Sequence, residues 1–307
     1  MEIGLASLIA EGSAAHVDES RAFYAARQAA GGQRGPANYE ELKAARSCLP
    51  TRPAERPAVE RSISVGQAHV PVRIMAPASG ECRGAYLDIH GGGFYMDSAA
   101  RGDDRNARLA DALGVTVVSV EYRLAPEYPW PAAPDDCERA ALWLLGEGSD
   151  AFGAERVLIG GASAGATLAM TTLLRLRDRG LVDRIAGALL QFGAYDLSGL
   201  SPGGRLYSDE WFIQAYVGDV PDRTVPDISP LFGDLRNLPP TLMVVGTRDI
   251  LLEDNLAMAA RLSAAGNKVD LRVFPEAMHG FTSHPTSMAA AALDGANIWL
   301  SSRLATK

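Results

Sequence analysis

Short apolar runs alternate with stretches of helical spacing along most of the chain. Six such runs predict strands, at residues 85–89, 115–120, 157–159, 186–191, 241–245 and 269–274. Predicted helices separate or follow these runs, at residues 104–113, 135–145, 166–177, 253–265 and 287–304. Residues 62–65 and 70–74 flank a short polar turn and predict a hairpin, which brings the expected sheet to eight strands. The alternation is typical of a mostly parallel sheet with helices on both faces.

Two segments depart from this alternation. Residues 1–45 and 195–235 fit no strand–helix unit, and the second is rich in aromatic residues, Pro and Asp. We therefore predict an α/β core of residues 46–194 and 236–307, with cap helices at 1–45 and a cap insertion at 195–235. The aromatic side chains of the insertion fit core packing and pocket lining equally well.

The composition and charge exclude several classes of partner. The 307 residues are 47% hydrophobic and 21% charged, which is ordinary for a globular protein with a sizeable core. The formal net charge is −8 and the Lys and Arg residues are scattered, so nucleic acid and anionic membranes are not expected as partners. No uncharged apolar run is long enough to predict a membrane span.

The cysteines and the N-terminus favour a cytoplasmic location. Cys48, Cys82 and Cys137 are widely spaced and odd in number, with neither metal-ligand nor disulfide-framework spacing. The first residues lack a basic region and Glu11 interrupts their apolar stretch, so no secretory signal is predicted. A reducing compartment is the simplest interpretation.

Residues 161–165, Gly-Ala-Ser-Ala-Gly, follow the predicted strand 157–159 and carry the G-x-S-x-G nucleophile-elbow pattern around Ser163. The turn exposes the Ser163 hydroxyl and aims the Ala164 N–H at charge that develops on an attacked carbonyl. The alternative is a glycine-rich strand–helix turn without catalysis. The same pattern recurs around Ser201, but Pro202 offers no N–H there and no apolar run precedes it. We predict that Ser201 lies in a surface loop.

A serine nucleophile needs a histidine base and a carboxylate that orients the base. Two of the five histidines, His279 and His284, follow Ser163 in the chain, as the base does in proteins with this elbow. His279 directly follows the last predicted strand and is favoured, although either histidine could instead make one ordinary hydrogen bond. Asp249, just after the strand at 241–245, is the expected acid.

Two further motifs complete the predicted site. Glu253 and Asp254 come one turn after Asp249, where we expect them to stabilise a helix N-terminus. Three consecutive glycines follow His90, and their N–H groups predict the second half of an oxyanion hole, unless they form a plain turn. Gly91 and Gly92 are the expected donors, with Gly93 as a further candidate, and His90 is expected to brace the loop.

On these residues the chain resembles the hormone-sensitive-lipase group of bacterial esterases, also called family IV, from about residue 40 onward. The matching motifs are His90-Gly91-Gly92-Gly93 and residues 122–127, 131–133, 161–165, 249–251 and 279–281. The resemblance implies an α/β-hydrolase fold with a helical cap, no cofactor or metal, and hydrolysis of carboxylic esters, usually with short acyl chains. The chain departs from the family at Ala162, where an Asp is usual, which affects the hydrogen bonding around the elbow.

The predicted reaction is a two-step acyl transfer on a small-molecule ester, with short-to-medium acyl chains. His279 takes the proton of Ser163 as it attacks, and the same imidazole later activates water. The expected pocket walls are aromatic: Phe94, Tyr95, Tyr195, Trp211 and Phe281. An amidase or formamidase with the same triad is the alternative, and a non-catalytic ligand-binding role is disfavoured because all three triad residues are in place. A homodimer formed through the last strand and helix stays open.

Overall fold

A single eight-stranded sheet forms the core of the protein. The computed structural model describes residues 4–31, 35–49 and 53–305. Strands β1 to β8 span Val59–Val65, Ala68–Met75, Ala85–Ile89, Thr116–Val120, Val157–Ala162, Ile185–Gln191, Thr241–Gly246 and Val269–Phe274. Their order in the sheet is β1-β2-β4-β3-β5-β6-β7-β8. Strand β2 runs antiparallel to β1 and β4, and the other pairs are parallel, so the predicted mostly parallel sheet is confirmed.

The central strands are covered on both faces, as their sequence requires. All five residues of β4 are buried, including the adjacent Val117 and Val118, whose side chains point to opposite faces. A strand with valines on both of its faces is stable only where both faces exclude water. The alternation of side chains therefore divides the core into two layers, one on each side of the sheet.

Helices fill both layers. Helices α1 to α9 span Val17–Ala29, Tyr39–Ser47, Asp103–Leu113, Ala132–Trp143, Ser149–Phe152, Ala164–Asp178, Trp211–Val217, Leu252–Ala264 and Ser287–Ala305. Helices α4, α6 and α8 pack with Leu190 and Ile159 on one face of the sheet. Helices α3 and α9 pack with Leu189 and Leu158 on the other. None of the helices in the described ranges combines the length and apolarity needed to span a bilayer.

The N-terminal segment is attached to the core at several points. Ile9 forms a parallel bridge with Val273 of β8, an edge strand of the sheet. Helix α2 begins at Asn38, whose side-chain oxygen accepts the Glu41 N–H at 2.9 Å, a cap that the sequence carries locally. Within the predicted cap range 1–45, residues 1–3 and 32–34 lie outside the described residues. The assignment of this range as a cap stays a prediction.

The insertion between β6 and β7 carries helix α7 and is tied to the core by ion pairs. Arg175 of α6 donates to Asp227 of the insertion through two nitrogens, at 2.6 and 2.7 Å. The indole of Trp130 donates to the same carboxylate at 2.8 Å. Arg175 also bonds Asp135 and Glu138 of α4, so one guanidinium joins the insertion to two core helices.

Candidate active site

Ser163 lies on a strained turn between β5 and α6. Its φ of +55° is rare for a residue with a side chain, and the turn is stabilised by the Ser163 N–H, which donates to the Gln191 carbonyl at 2.9 Å. A Cβ at Gly165 would overlap the carbonyl oxygen of Ile89 in β3. The glycine is therefore required so that α6 can start directly against β3, and this close approach keeps the serine at the sheet edge.

Three polar side chains from distant parts of the chain form one hydrogen-bonded series at this edge. The His279 Nε2 atom lies 2.9 Å from Ser163 Oγ. The His279 Nδ1 atom lies 3.1 Å from each carboxylate oxygen of Asp249, and the Asp249 side chain is fully buried. A buried carboxylate beside Nδ1 fixes the proton on that nitrogen, which leaves Nε2 able to accept the serine proton.

Asp249 and His279 both lie in loops that follow strands. Asp249 follows β7 and accepts the Leu251 N–H at 2.9 Å, a turn that holds its carboxylate in place. His279 follows β8, and its ring meets Phe192 edge-on with the ring centroids 5.2 Å apart. Because β5, β7 and β8 are parallel, their carboxyl ends meet at one edge of the sheet.

The glycine loop after β3 lies directly beside Ser163. Gly91, Gly92 and Gly93 all line the same cavity as Ser163 and Ala164. Gly92 has a φ of +101°, and a Cβ there would overlap the carbonyl oxygen of Met96. Only glycine fits this backbone, which brings the loop against the cavity that Ser163 also lines.

His90 and Tyr122 stabilise this glycine loop through hydrogen bonds and through the stacking of their rings. His90 Nδ1 donates to the Gly91 carbonyl at 2.8 Å, and its ring stacks on Tyr122 at 4.1 Å. The Tyr122 hydroxyl donates to the carbonyl oxygens of His90 and Gly91 at 3.0 and 3.1 Å. Burial lowers the pKa of His90, and its Nδ1 atom is already engaged by the Gly91 carbonyl, so the residue supports the loop. Sequence reasoning expected the role of His90 and missed Tyr122.

A cavity of about 680 Å³ opens onto Ser163. Its apolar wall includes Phe94, Tyr95, Phe192, Tyr207, Phe212, Ile250 and Leu251. Asp97, Arg105, Gln191 and Glu210 add polar groups. A cavity of this size suits a small molecule, and its mixed lining gives both apolar contact and specific hydrogen bonds.

The structure corrects part of the predicted pocket. Phe94 and Tyr95 line the cavity among the described residues, but Tyr195, Trp211 and Phe281 do not. Tyr195 and Phe281 are 0% and 1% exposed because they belong to the two packed core layers. Trp211 packs against Tyr95 with ring centroids 5.7 Å apart, so it supports a wall without forming it.

Glu253 and Asp254 lie in the first turn of α8, as the sequence predicts, but no side chain among the described residues makes a cap hydrogen bond there, and Asp254 is used elsewhere. It is 1% exposed, and one carboxylate oxygen accepts the backbone N–H groups of Tyr195 and Asp196 and, at 2.7 Å, the Tyr207 hydroxyl. Burial raises the pKa of Asp254 to about 6. The residue therefore holds the start of the insertion against α8, and it fixes the cavity-lining Tyr207 through its hydroxyl.

His284 is attached to helix α1. Its Nδ1 atom lies 2.9 Å from the Tyr24 hydroxyl, and its Nε2 atom lies 3.4 Å from a guanidinium nitrogen of Arg27. Burial and the Arg27 charge lower the pKa of His284. The Ser20 hydroxyl of α1 also donates to the Glu276 carbonyl at 3.0 Å, so α1 contacts both ends of the loop that carries His279.

Comparisons with known proteins agree with this architecture. A sequence profile described as "alpha/beta hydrolase fold" matches residues 86–283. The ethyl acetate hydrolase of Pseudomonas putida is 33% identical over 239 residues, covering 72% of this chain and 74% of that protein. The carboxylic ester hydrolase LipN of Mycobacterium tuberculosis is 32% identical, and the match covers 72% of this chain and 63% of LipN.

A solved structure gives the same result at the level of the fold. The hyperthermophilic esterase from the archaeon Pyrobaculum calidifontis aligns with a TM-score of 0.75 and 30% identity, covering 83% of this chain and 88% of that one. The profile spans more than half of the chain, and the class that it defines is the α/β-hydrolase fold. Within this class the chain belongs to the hormone-sensitive-lipase-like group, and it is a carboxylic ester hydrolase.

Proposed function

We propose that the protein is a serine carboxylesterase that cleaves small esters of short-to-medium acyl chain length through an acyl-enzyme intermediate. The observation that carries this proposal is the hydrogen-bonded series from Asp249 through His279 to Ser163, with His279 Nε2 at 2.9 Å from the hydroxyl. That distance is within the range over which a general base takes a proton directly.

In the first step Ser163 Oγ attacks the ester carbonyl while His279 Nε2 takes the hydroxyl proton. The N–H groups of Gly91, Gly92 and Ala164, with Gly93 as a further donor, surround the position where negative charge develops on the carbonyl oxygen. His279 then returns its proton to the departing alcohol. Asp249 stabilises the imidazolium throughout and does not itself take the proton.

In the second step water replaces the alcohol. His279 Nε2 takes a proton from the water as its oxygen attacks the acyl carbon, and the same glycine N–H groups stabilise the second tetrahedral intermediate. Collapse of that intermediate breaks the bond to Ser163 Oγ, which regains its proton from His279. The acid product and the free serine complete the cycle without any group from outside the chain except water.

The size of the site and the names of the relatives support a small substrate. The cavity of about 680 Å³ is enclosed partly by Phe94 and Tyr95, which favours an apolar acyl or alcohol group. A relative that is 33% identical is named an ethyl acetate hydrolase. Cys48, Cys82 and Cys137 are all free thiols, which favours the reducing environment of the cytoplasm as the location.

Covalent labelling tests the proposal directly. A p-nitrophenyl alkylphosphonate should react once per chain, abolish hydrolysis of p-nitrophenyl butyrate, and be located on Ser163 by peptide mass spectrometry. Labelling of another residue with parallel loss of activity would contradict the assignment. Initial rates on an ester and an anilide with the same acyl group decide between esterase and amidase: faster cleavage of the anilide would favour the amidase.

A further inference from the structure

The cavity extends past the nucleophile onto the face of the sheet that α3 and α9 cover. Ala162 and Gln191 line it there, together with Leu293 of α9 and Arg105 of α3. Ala162 and Gln191 are register partners at the carboxyl ends of β5 and β6. Leu190 packs on the α4/α6 side of the sheet, so alternation directs the next side chain, Gln191, to the α3/α9 side. We call this extension of the cavity the α3/α9 branch.

Gln191 brings an unused amide to this branch. The residue is only 9% exposed, and its backbone carbonyl already accepts the Ser163 N–H. Within the described residues its side-chain amide makes no hydrogen bond, and its atoms are not among the buried polar atoms left without a partner, so the amide reaches the open space of the cavity. Its donors and its acceptor are therefore available to a molecule bound there.

The neighbouring position explains why the amide is unused. Ala162 lies across from Gln191 in the ladder and has no polar atom to offer. Adjacent strands are about 4.8 Å apart, so a carboxylate at position 162, as the resemblance leads one to expect, would come within reach of Gln191. The alanine therefore leaves both room and an open hydrogen-bonding group beside Ser163.

The charges around the cavity restrict the substrate group further. Arg105 Nη2 donates to the buried carboxylate of Asp88 at 2.6 Å, so its charge is already balanced. Asp97 pairs with Arg101 at 2.8 Å, and Glu210 adds an exposed carboxylate to the lining. Among the described residues that line the cavity, a carboxylate on the substrate would find no uncompensated cation, whereas an uncharged oxygen can bond both the amide and the guanidinium.

We propose that Gln191 is a specificity-determining residue that selects esters bearing an uncharged oxygen substituent, a hydroxyl or a ketone, close to the scissile carbonyl. The inference rests on the proposed esterase function of Ser163 and names the substrate class of that same site. The substituent enters the α3/α9 branch, where it donates to or accepts from the Gln191 amide.

The test compares Gln191→Met, which keeps the length of the side chain and removes its hydrogen bonds, with the unmodified enzyme. In the acyl arm, kcat/KM is measured for p-nitrophenyl butyrate and p-nitrophenyl 3-hydroxybutyrate. In the alcohol arm, ethyl butyrate and 2-hydroxyethyl butyrate are compared. We expect the preference for the hydroxylated ester to fall by about fivefold in one arm, which identifies the half of the substrate that Gln191 contacts.

Two further variants distinguish specificity from damage to the site. Phe212→Leu changes an apolar wall contributed by α7 and should alter both esters of a pair by the same factor. Ala162→Asp, which gives Gln191 a partner and fills the branch, should lower the same preference as Gln191→Met. Thermal unfolding of each variant checks that it is folded.

Each outcome decides the proposal. Unchanged ratios in both arms, or a preference for p-nitrophenyl hemisuccinate that disappears in Gln191→Met, would overturn it. Hydrolysis of plain butyrate by the unmodified enzyme tests the esterase function separately, so a failure of the specificity proposal is not mistaken for a failure of the reaction.

Discussion

The two Gly-x-Ser-x-Gly segments of this chain, residues 161–165 and 199–203, share three residues of a five-residue pattern and little else. Ser163 lies on the turn between β5 and α6, with a φ of +55° and His279 Nε2 2.9 Å from its hydroxyl oxygen. Ser201 lies in a loop where its N–H donates to Asp196 at 2.7 Å and its hydroxyl accepts the Gly204 N–H at 3.0 Å. The second hydroxyl is committed to its own loop, while the first is presented to a base.

The two segments also differ in the backbone N–H groups that they offer. Ala164, after the first serine, is the first residue of a fifteen-residue helix and lines the cavity. Pro202, after the second serine, has no N–H. At the second site the buried Asp196 carboxylate also accepts the N–H groups of Ser198 and Gly199, so the local donors are already used. A pentapeptide becomes a reactive site only when a strand and a helix hold it.

The largest expected effect comes from removing the Ser163 hydroxyl, and removal of the Ser201 hydroxyl is the comparison. Ser163→Ala should lower kcat on p-nitrophenyl butyrate by about 10⁴-fold or more, because the nucleophile is lost. Ser201→Ala is the matched control, and we expect it to leave kcat unchanged while removing one loop hydrogen bond. Comparable losses in both variants would show that the contrast between the two segments is wrong.

A smaller effect should follow from closing the glycine loop that faces only the first serine. Gly92→Ala places a methyl group against the Met96 carbonyl and displaces the N–H groups beside Ser163. We expect kcat to fall by about 10²- to 10³-fold, the range for loss of one oxyanion donor. Circular dichroism and thermal unfolding serve as controls for folding. A variant with unchanged kcat would remove these glycines from the mechanism.

The smallest effect concerns Asp254, which organises the segment around the second serine. Its raised pKa, about 6, means that the folded protein binds the proton more tightly than the unfolded chain does. Stability should therefore fall as the pH rises from about 4 to about 6, by at most about 3 kcal/mol. Asp254→Asn, which cannot ionise, should flatten this fall and be the more stable protein at pH 8.

Urea unfolding of the two proteins at several pH values measures this difference. Glu253→Gln is the control, since Glu253 is exposed beside Asp254 and should leave the pH profile as it is. Parallel stability curves for the unmodified protein and Asp254→Asn would contradict a buried carboxyl that titrates near pH 6.

Much of the architecture follows from local sequence. Strand β4, with valines on both of its faces, can be stable only between two layers, and the glycines at 92 and 165 stand where a Cβ would collide with neighbouring backbone. Chain order and position after a strand were enough to choose His279 over His284, since the parallel strands bring their carboxyl ends to one edge. Periodicity, chain order and the positions of glycines are all read directly from the sequence.

The rest depended on which segments meet in three dimensions. Nothing near Asp254 in sequence indicated that it would accept the N–H groups of residues almost sixty positions away, and the aromatic residues of the insertion gave no sign of which ones face the cavity. Side-chain burial is set by the packing of distant elements, and the open amide of Gln191 becomes visible only when β5 and β6 lie side by side. The sequence by itself determined the elements and the residues for the chemistry, while the tertiary structure decided their partners, because a partner is a property of two segments and not of one.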